Sequence, residues 1–328
     1  MSPEISIILP VYNEEENLSV LIKELVFELT RLSKTYEILA IHVPGKDRSF
    51  EVLTELSKNH EQLYPVNMRY LHTRGYQKGY QYMLGFMLSR GNRVIQMDSD
   101  YQDDPKDIST FLEQLDAGYD VVVGWKQDRK DPFFYTLTSR MQNLLTRLVT
   151  NVSVHDKNCG FKAYTRPAVS AVNLYGMNYR DIPMQLSAKG FSITEVPITN
   201  RKRKGGRSNF TFINRLVGGT LDFLSALICS VMGDTPFRFW GGVGLGFLSI
   251  GMAVFFVCTL WLLLGQVTPD VHIWMFWWLF LSLILSVVGA TSFAVGIITE
   301  FVLSQRELSI KEYMILDDPK DITKRLTD

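Results

Sequence analysis

The chain of 328 residues has little cysteine and no surplus of either charge. Its three cysteines, Cys159, Cys229 and Cys258, are far apart and form no CxxC pair, which argues against a disulfide scaffold or a zinc module. Its 34 basic residues equal its 34 acidic ones, so it lacks the basic field of a nucleic-acid-binding protein. Because 46% of the residues are apolar, disorder is excluded as well.

Charged residues are also missing from two long stretches near the C-terminal end. These stretches run from 239 to 264 and from 273 to 299. Each exceeds the about 20 apolar residues that a helix needs to cross a bilayer, and neither keeps the polar stripe of a soluble helix. Tryptophans gather near the loop that joins them, as they do at membrane interfaces: Trp261, Trp274, Trp277 and Trp278. The sequence therefore predicts a transmembrane hairpin with spans at about 239–264 and 273–303.

The flanking charges predict the orientation of this hairpin. The connecting loop, 265–272, has no Lys or Arg, whereas Arg238, Arg306 and Lys311 flank the outer ends. By the positive-inside rule, the loop lies outside and both termini are cytoplasmic, in a two-span protein of the cell membrane. The N-terminus turns acidic at once and shows no signal peptide.

The expected organisation has four parts in chain order. They are a cytoplasmic domain over 1–210, interfacial amphipathic helices over 211–237, the two spans within 238–304, and a cytoplasmic tail over 305–328. An ordinary core helix of the soluble domain is the alternative for 211–237.

The first 210 residues alternate apolar, β-branched runs with helical stretches. The first run, Ile5–Val11, has the composition of a strand buried on both faces. Further strands and helices alternate up to Val123, which predicts an α/β fold with a mostly parallel sheet and helices on both faces. Ligands bind beyond the carboxyl ends of such strands, so the loops of interest follow the strands: 12–15, 44–48, 73–78 and 98–104.

Two acids, Asp98 and Asp100, follow the fourth apolar strand with one residue between them. If the backbone bends there, both carboxylates can turn toward one point and hold Mg²⁺ or Mn²⁺. Such a metal would neutralise a diphosphate leaving group, the costly part of glycosyl or phosphoryl transfer. The pair alone is a weak signal, because loop acids are more often solvated or cap helices, as we predict for Asp103-Asp104-Pro105.

A basic loop precedes the predicted interfacial helices. It combines cationic side chains with a permissive Gly205-Gly206 backbone, which suits the cradling of phosphate oxygens: Arg201, Lys202, Arg203, Lys204 and Arg207. The alternative is a non-specific basic patch that is attracted to anionic lipid headgroups. The two interpretations are compatible.

Four segments in this order resemble glycosyltransferase family 2 enzymes of the GT-A fold: ISIILPVYNEEENL, MDSDYQDDP, HDKNCGFKAYTR and RKRKGGRSNF. With the C-terminal hairpin, the resemblance narrows to the polyprenyl-phosphate glycosyltransferases, which include dolichol-phosphate mannose synthase and the bactoprenol glucosyltransferases. It implies a GT-A, Rossmann-like sheet and a metal-dependent, inverting hexosyltransferase with Mg²⁺ or Mn²⁺. The implied donor is a nucleotide sugar of UDP or GDP type, and the acceptor is a polyprenyl (dolichyl or undecaprenyl) phosphate on the cytoplasmic leaflet.

The resemblance also implies roles for individual residues. The donor-binding set is Pro10, Tyr12, Glu14, Asp47, Lys78 and Asp98. The metal set is Asp98, Asp100 and Gln102. The acceptor-phosphate set is Arg201, Arg203, Arg207 and Ser208. The implied catalytic residues are Asp100 and Asp156. Of these, Asp156 would orient the acceptor or help to hold the donor.

A lipid monophosphate is a favourable nucleophile for such an enzyme. Its second pKa of about 6 leaves the attacking oxygen anionic at neutral pH, so no strong general base is required. Catalysis would then depend on positioning and charge neutralisation during in-line displacement at the anomeric carbon.

One loop departs from the family pattern. Val43 and Pro44 stand where an acidic pair that recognises the nucleotide base is usual. We expect the base to be read by backbone groups or by Lys46 and His42. An unusual nucleotide sugar, or a degenerate member that binds without turnover, are the alternatives.

Other functional classes fit less well. A polysaccharide synthase would have more spans and a QxxRW-type motif, which we do not find. A transporter would need a polar pore lining, which two uncharged spans do not supply, although a homo-oligomer could still shape a membrane site.

Overall fold

The computed structural model describes residues 2–68, 77–127, 154–156, 159–172, 178–201, 236–264, 269–304, 315–317 and 320–321. Two compact units make up the chain: Met1–Ser230 with Lys311–Asp328, and Val231–Ile310. The predicted interfacial helices, apart from their last two residues, lie outside the described residues, as do Arg203, Arg207 and Ser208.

The first unit is built on one eight-stranded sheet. Its strands are β1 (Ile5–Val11), β2 (Tyr36–His42), β3 (Leu63–Met68), β4 (Arg93–Gln96), β5 (Val121–Trp125), β6 (Lys162–Thr165), β7 (Ile193–Pro197) and β8 (Ile315–Asp317). The spatial order is β7-β5-β6-β4-β1-β2-β3-β8. Strands β4, β1, β2 and β3 are mutually parallel, β5 is parallel to β7, and β6 and β8 are antiparallel to their neighbours.

Six helices lie between these strands in the part of the chain that the structure describes. They are α1 (Glu15–Arg31), α2 (Ser49–Asn59), α3 (Gln77–Leu88), α4 (Ile108–Asp116), α5 (Arg166–Ala171) and α6 (Ile182–Ala188). Helix α1 buries Leu18, Leu21, Ile22, Leu25 and Leu29, which recur at helical spacing and form its core-facing stripe. The predicted α/β fold with a mostly parallel sheet is confirmed.

Strand β1 lies at the centre of the sheet, between β4 and β2. All seven residues of β1 are buried, as expected for a strand covered on both faces. Its pairing with β4 stops where Ile8 faces Gln96, whereas its pairing with β2 continues to Val11 and His42. The pairing of β1 with β4 therefore ends earlier than its pairing with β2. This happens at the carboxyl edge of the strands, where a sheet of this topology binds ligands.

The C-terminal segment adds the last strand of the sheet. Strand β8 pairs antiparallel with β3, with Asn67 opposite Asp317 and Met68 opposite Ile315. The Nζ of Lys320 donates to the carbonyl oxygens of Glu61 at 3.0 Å and Leu63 at 2.7 Å, beside the start of β3. Part of the predicted tail thus belongs to the first unit.

The second unit contains two long apolar helices, α7 (Pro236–Leu263) and α8 (Pro269–Ser304). Both are long and apolar enough to cross a membrane, with a mean hydropathy of 2.2 over stretches that are only 17% buried. A soluble core helix would be mostly buried, so the exposed apolar surface favours membrane spans.

Glycines bring the backbones of α7 and α8 together. A Cβ on Gly289 would lie 2.7 Å from the backbone nitrogen of Leu248 and 2.8 Å from the carbonyl oxygen of Gly244. Small residues permit this approach, which is how helices pack in lipid. At the ends, the Glu300 carboxylate accepts the backbone N–H of Phe237 at 3.1 Å and so satisfies a free donor at the start of α7.

Candidate active site

The chain bends sharply after β4, in the segment that carries Asp98 and Asp100. Tyr101 adopts a φ of 66°, which is strained for a residue with a side chain. Its hydroxyl donates to Glu24 at 2.6 Å, and the guanidinium of Arg201 lies 4.8 Å from its ring centre. These contacts hold the bend that the sequence required for the two carboxylates to converge.

Asp98 is enclosed by partners from two other segments. Its Oδ1 lies 2.6 Å from the Nζ of Lys78 and accepts the hydroxyl of Tyr82 at 2.9 Å. Gly160 adjoins the same carboxylate, since a Cβ there would lie 2.4 Å from Oδ2. Burial acts to raise the pKa of Asp98, but the Lys78 ammonium outweighs it and holds the pKa below its usual value. Asp98 is therefore a fixed, ionised carboxylate.

Lys78 is held in turn by this ion pair and by aromatic rings. Its Nζ lies 5.9 Å from the ring centres of both Tyr82 and Tyr179. Burial acts to lower its pKa, yet Asp98 raises the pKa above the ordinary value, so the side chain is cationic at neutral pH. The structure thus brings two predicted donor-site residues together.

Asp100 and Gln102 form the rest of this loop. Asp100 Oδ1 accepts the backbone N–H of Gln102 at 3.2 Å, and the carbonyl of Gln102 accepts the N–H of Arg201 at 2.8 Å. Among the described residues, no group of three His, Cys, Asp or Glu side chains could hold a metal. Mg²⁺ often takes only one or two carboxylates and completes its shell with substrate phosphates and water. Asp100, with Gln102 beside it, fits that pattern, whereas Asp98 Oδ1 is already occupied.

A buried ion pair behind the loop was not predicted from the sequence. Asp103 is fully buried and lies 2.7 Å from the Nζ of Lys126, which follows β5. Burial raises the pKa of Asp103 to about 6, while Lys126 acts to lower it. Asp103 in turn raises the pKa of Lys126 above its ordinary value, although burial acts to lower it. Lys126 could have been found from its position after a strand.

Asp156 lies in a segment whose neighbours are tightly held. The ring of His155 stacks on Trp125 with centres 4.3 Å apart. The backbone N–H of His155 donates to Glu195 Oε2 at 2.6 Å, and Nδ1 of the same residue contacts the other oxygen of that carboxylate. The carbonyl of Asp156 accepts the N–H of Cys159 at 3.2 Å. The backbone of Asp156 is thereby fixed between two anchored residues.

Lys162, on β6, is a second buried cation that was not predicted as a site residue from the sequence. Its side chain is 1% exposed, and burial lowers its pKa against the opposing influence of Cys159, Asp156 and Asp98. On the neighbouring strand, Gln96 donates to the carbonyl of Gly160 at 3.0 Å. The described segment from Cys159 to Lys162 is therefore held by the neighbouring strand β4.

The loops after β1 and β2 are joined at the same edge of the sheet. Asp47 Oδ2 accepts the N–H of Glu15 at 3.0 Å, and Asp47 Oδ1 accepts the N–H of Ser49 at 3.1 Å. Burial acts to raise the pKa of Asp47, but these hydrogen bonds outweigh it and lower the pKa. The backbone N–H of Glu14 donates to Ser49 Oγ at 2.9 Å. Asp47 thus braces the predicted donor loop, in which Tyr12 is half-buried.

The loop after β4 is attached to this edge as well. The hydroxyl of Ser99 donates to the carbonyl of Pro10 at 2.7 Å. The predicted donor residues at the ends of β1, β2 and β4 therefore meet along one edge of the sheet.

Arg201, predicted to bind acceptor phosphate, is engaged by carboxylates. Its Nη1 lies 2.6 Å from Glu24 Oε2, and its Nη2 lies 2.7 Å from Asp104 Oδ1. Asp104 also accepts the N–H of Lys106 at 3.0 Å, which confirms that it caps the turn at Pro105–Asp107. Arg201 therefore braces the loop that follows β4.

Comparisons with known proteins identify the family of the chain. Residues 6–172 match the family described as glycosyl transferase family 2. The chain is 29% identical over 307 residues to the undecaprenyl-phosphate 4-deoxy-4-formamido-L-arabinose transferase of Pectobacterium atrosepticum, which covers 91% of this chain and 88% of that protein. It is 31% identical over 260 residues to the protein of the same name from Pectobacterium carotovorum subsp. carotovorum, at 76% and 77% coverage.

The fold is also found in solved structures. A crystal structure of glucosyl-3-phosphoglycerate synthase from Mycobacterium tuberculosis with Mn²⁺ and UDP-glucose matches at a TM-score of 0.52 and 16% identity, covering 70% of this chain and 79% of that one. The family resemblance predicted from the four sequence segments is confirmed: the chain belongs to glycosyltransferase family 2 and is a glycosyltransferase.

Proposed function

We propose that this protein transfers a sugar from a nucleotide-sugar donor to a polyprenyl phosphate at the membrane surface. The observation that carries the proposal is the similarity to the Pectobacterium undecaprenyl-phosphate sugar transferase, which extends over 91% of the chain and so includes both apolar helices. A lipid acceptor requires an enzyme at the bilayer, and the hairpin supplies such an anchor.

The donor diphosphate would lie beyond the carboxyl ends of β1 and β4. Lys78 lies at this edge of the sheet, and its ion pair with Asp98 at 2.6 Å fixes the direction of its ammonium. A fixed ammonium stabilises the charge of a departing diphosphate without having to reorganise. Asp98, whose Oδ1 is held by Lys78 and Tyr82, would accept hydrogen bonds from the hydroxyls of the donor sugar.

A divalent metal would be held by Asp100 with the side chain of Gln102. When bound, such an ion neutralises the diphosphate that leaves with the nucleotide. The chain itself holds this loop in place. The contact of Arg201 with the ring of Tyr101 and the buried Asp103–Lys126 ion pair fix its position.

The acceptor phosphate would approach from the side of Asp156. Its oxygen is already anionic near neutral pH, so Asp156 would orient the lipid phosphate rather than deprotonate it. Arg203, Arg207 and Ser208 would hold the phosphate, with the catalytic unit on the cytoplasmic side, because the loop between the spans lacks Lys and Arg.

The test is sugar transfer by purified protein in detergent, with radiolabelled UDP- and GDP-sugars, short polyprenyl phosphates and Mg²⁺. Asp100→Asn and Asp156→Asn should each lower the rate by at least about 100-fold while the proteins still melt cooperatively. Asp116→Asn, at the far end of α4, is the matched control and should keep the wild-type rate. Full activity in both site variants, or transfer that needs no lipid phosphate, would refute the proposal.

A further inference from the structure

Tyr179 lies beside the ion pair of the site, although it belongs to another segment of the chain. It is part of the 3₁₀ turn Asn178–Asp181, which leads directly into α6. Its ring centre lies 5.8 Å from that of Tyr82 and 5.9 Å from the Nζ of Lys78. Those two residues hold the Oδ1 of Asp98 at 2.9 Å and 2.6 Å. The ring of Tyr179 therefore adjoins the group that holds the carboxylate which we place on the donor sugar.

The two tyrosines beside Lys78 differ in exposure. Tyr82 is fully buried, and its hydroxyl is used by Asp98, so this ring offers no surface to a ligand. Tyr179 is only half-buried and keeps part of its surface open. Ligand sites are lined by aromatic side chains of this kind together with a few polar groups that fix the orientation of the ligand. Of the two rings, Tyr179 is thus the one that a substrate can touch.

The turn that carries Tyr179 is anchored on both counts that matter for its ring. Helix α6 follows the turn at once and buries Ile182, Met184 and Leu186 in the core. The ring itself lies within cation–π range of the Lys78 ammonium, whose direction is fixed by its ion pair. The ring is therefore in place before a ligand arrives, which reduces the entropy that binding costs.

A carboxylate beside an aromatic ring is a pair of groups that suits a sugar. A pyranose has hydroxyl groups around its rim, and these donate hydrogen bonds to a carboxylate. It also has patches of C–H bonds on its faces, which are apolar and pack against the flat surface of an aromatic ring. The transferred sugar adjoins the diphosphate of the donor, so it offers both kinds of group next to Lys78.

We propose that the ring of Tyr179 forms one wall of the donor-sugar subsite and packs against a C–H face of the transferred pyranose, whose hydroxyls bond to Asp98. Tyr179 then distinguishes a nucleotide sugar from the nucleoside diphosphate that remains after transfer. The substrate makes this contact and the leaving product lacks it, which favours exchange of product for new donor. The inference rests on the proposed use of a nucleotide sugar and adds a residue that reads the sugar.

The experiment is calorimetric binding to the full-length protein in detergent with Mg²⁺. The probes are UDP with UDP-glucose and GDP with GDP-mannose, and the pair that the wild-type protein binds is used for the variants. Tyr179→Ala should weaken binding of the nucleotide sugar about 10-fold, because it removes the aromatic surface, and should leave the affinity for the nucleoside diphosphate unchanged. Tyr179→Phe keeps the ring and should bind both probes nearly as the wild-type protein does.

Two further variants separate recognition from folding. Tyr179→Leu keeps an apolar side chain without a flat ring, so it should lose nucleotide-sugar affinity as Tyr179→Ala does. It carries the same test if the alanine variant does not fold. Tyr119→Ala, at a partly exposed tyrosine just before the amino end of β5, should leave both affinities unchanged.

The contrary outcomes are distinct. An equal loss of affinity for the nucleotide sugar and the nucleoside diphosphate in Tyr179→Ala, or no loss for either, would overturn the role of Tyr179 alone. A Tyr179→Phe protein that binds the nucleotide sugar as weakly as Tyr179→Ala would do the same. Failure of every nucleoside diphosphate and nucleotide sugar to bind the wild-type protein would overturn the proposed function itself.

Discussion

Gly160 should be essential because no side chain fits between it and Asp98. A Cβ at this position would lie 2.4 Å from Oδ2, 2.5 Å from Cγ and 2.7 Å from Oδ1 of Asp98. The carboxylate cannot simply move away, since Lys78 and Tyr82 hold its Oδ1 at 2.6 Å and 2.9 Å. Among the described glycines, only Gly118 and Gly190 have a positive φ, so alanine suits the backbone at 160 and the clash alone is tested.

The size of the effect follows from the required displacement. An ordinary carbon–oxygen contact is about 1 Å longer than the closest of these distances, so the carboxylate or its loop must shift by roughly that amount. A misplacement of about 1 Å in a catalytic site can cost about 100-fold in rate. We therefore expect Gly160→Ala to lower the rate of sugar transfer about 100-fold, with a smaller effect on thermal stability.

The assay compares initial rates at saturating acceptor with calorimetric affinity for the donor nucleotide. Gly242→Ala is the matched control, because a Cβ at Gly242 meets nothing within 4 Å. It should retain the wild-type rate. A cooperatively folded Gly160→Ala enzyme with wild-type activity would refute the placement of Asp98 in the active site.

Two further predictions follow from the buried ion pair and from the packing of the hairpin. Asp103→Asn should lower the free energy of unfolding by about 3 kcal/mol in urea titrations, because it leaves the buried Lys126 ammonium without a counter-ion. The double variant Asp103→Asn with Lys126→Met should recover most of this loss. An unchanged denaturation midpoint in the single variant would contradict this. Gly289→Leu should separate α7 from α8 and lower the yield of folded protein in detergent, whereas Gly242→Leu should not; equal yields would disprove the packing.

Local sequence patterns were sufficient to predict the elements whose structure depends on one stretch of the chain. The apolar run at Ile5–Val11 predicted a buried central strand, and its position predicted which loops meet at the ligand edge. The bend after β4 was a condition of the metal-site prediction, since Asp98 and Asp100 can converge only if the chain turns there. The strained φ that produces the turn, at Tyr101, could not be seen because distant contacts stabilise it.

Contacts between distant segments were the features that sequence patterns missed. Lys78 and Tyr82 are four residues apart on one face of α3, so their shared direction was readable, but their common partner Asp98 was not. His155 meets Glu195 across 40 residues, and such pairs depend on strand order rather than on local propensity. Strand β8 has only three residues, too few for a recognisable alternation.

The position of β8 in the chain has a consequence for biosynthesis. The first unit ends at Ser230 and resumes at Lys311, so the hairpin is an insertion within it. A ribosome must finish both membrane helices before it makes the residues that cover the open side of β3. Until then β3 is an unprotected edge that invites pairing with other chains. Insertion into lipid and completion of the enzyme are thereby ordered in time, and a chain that ends before Ile315 should aggregate although it keeps every residue that we propose for catalysis.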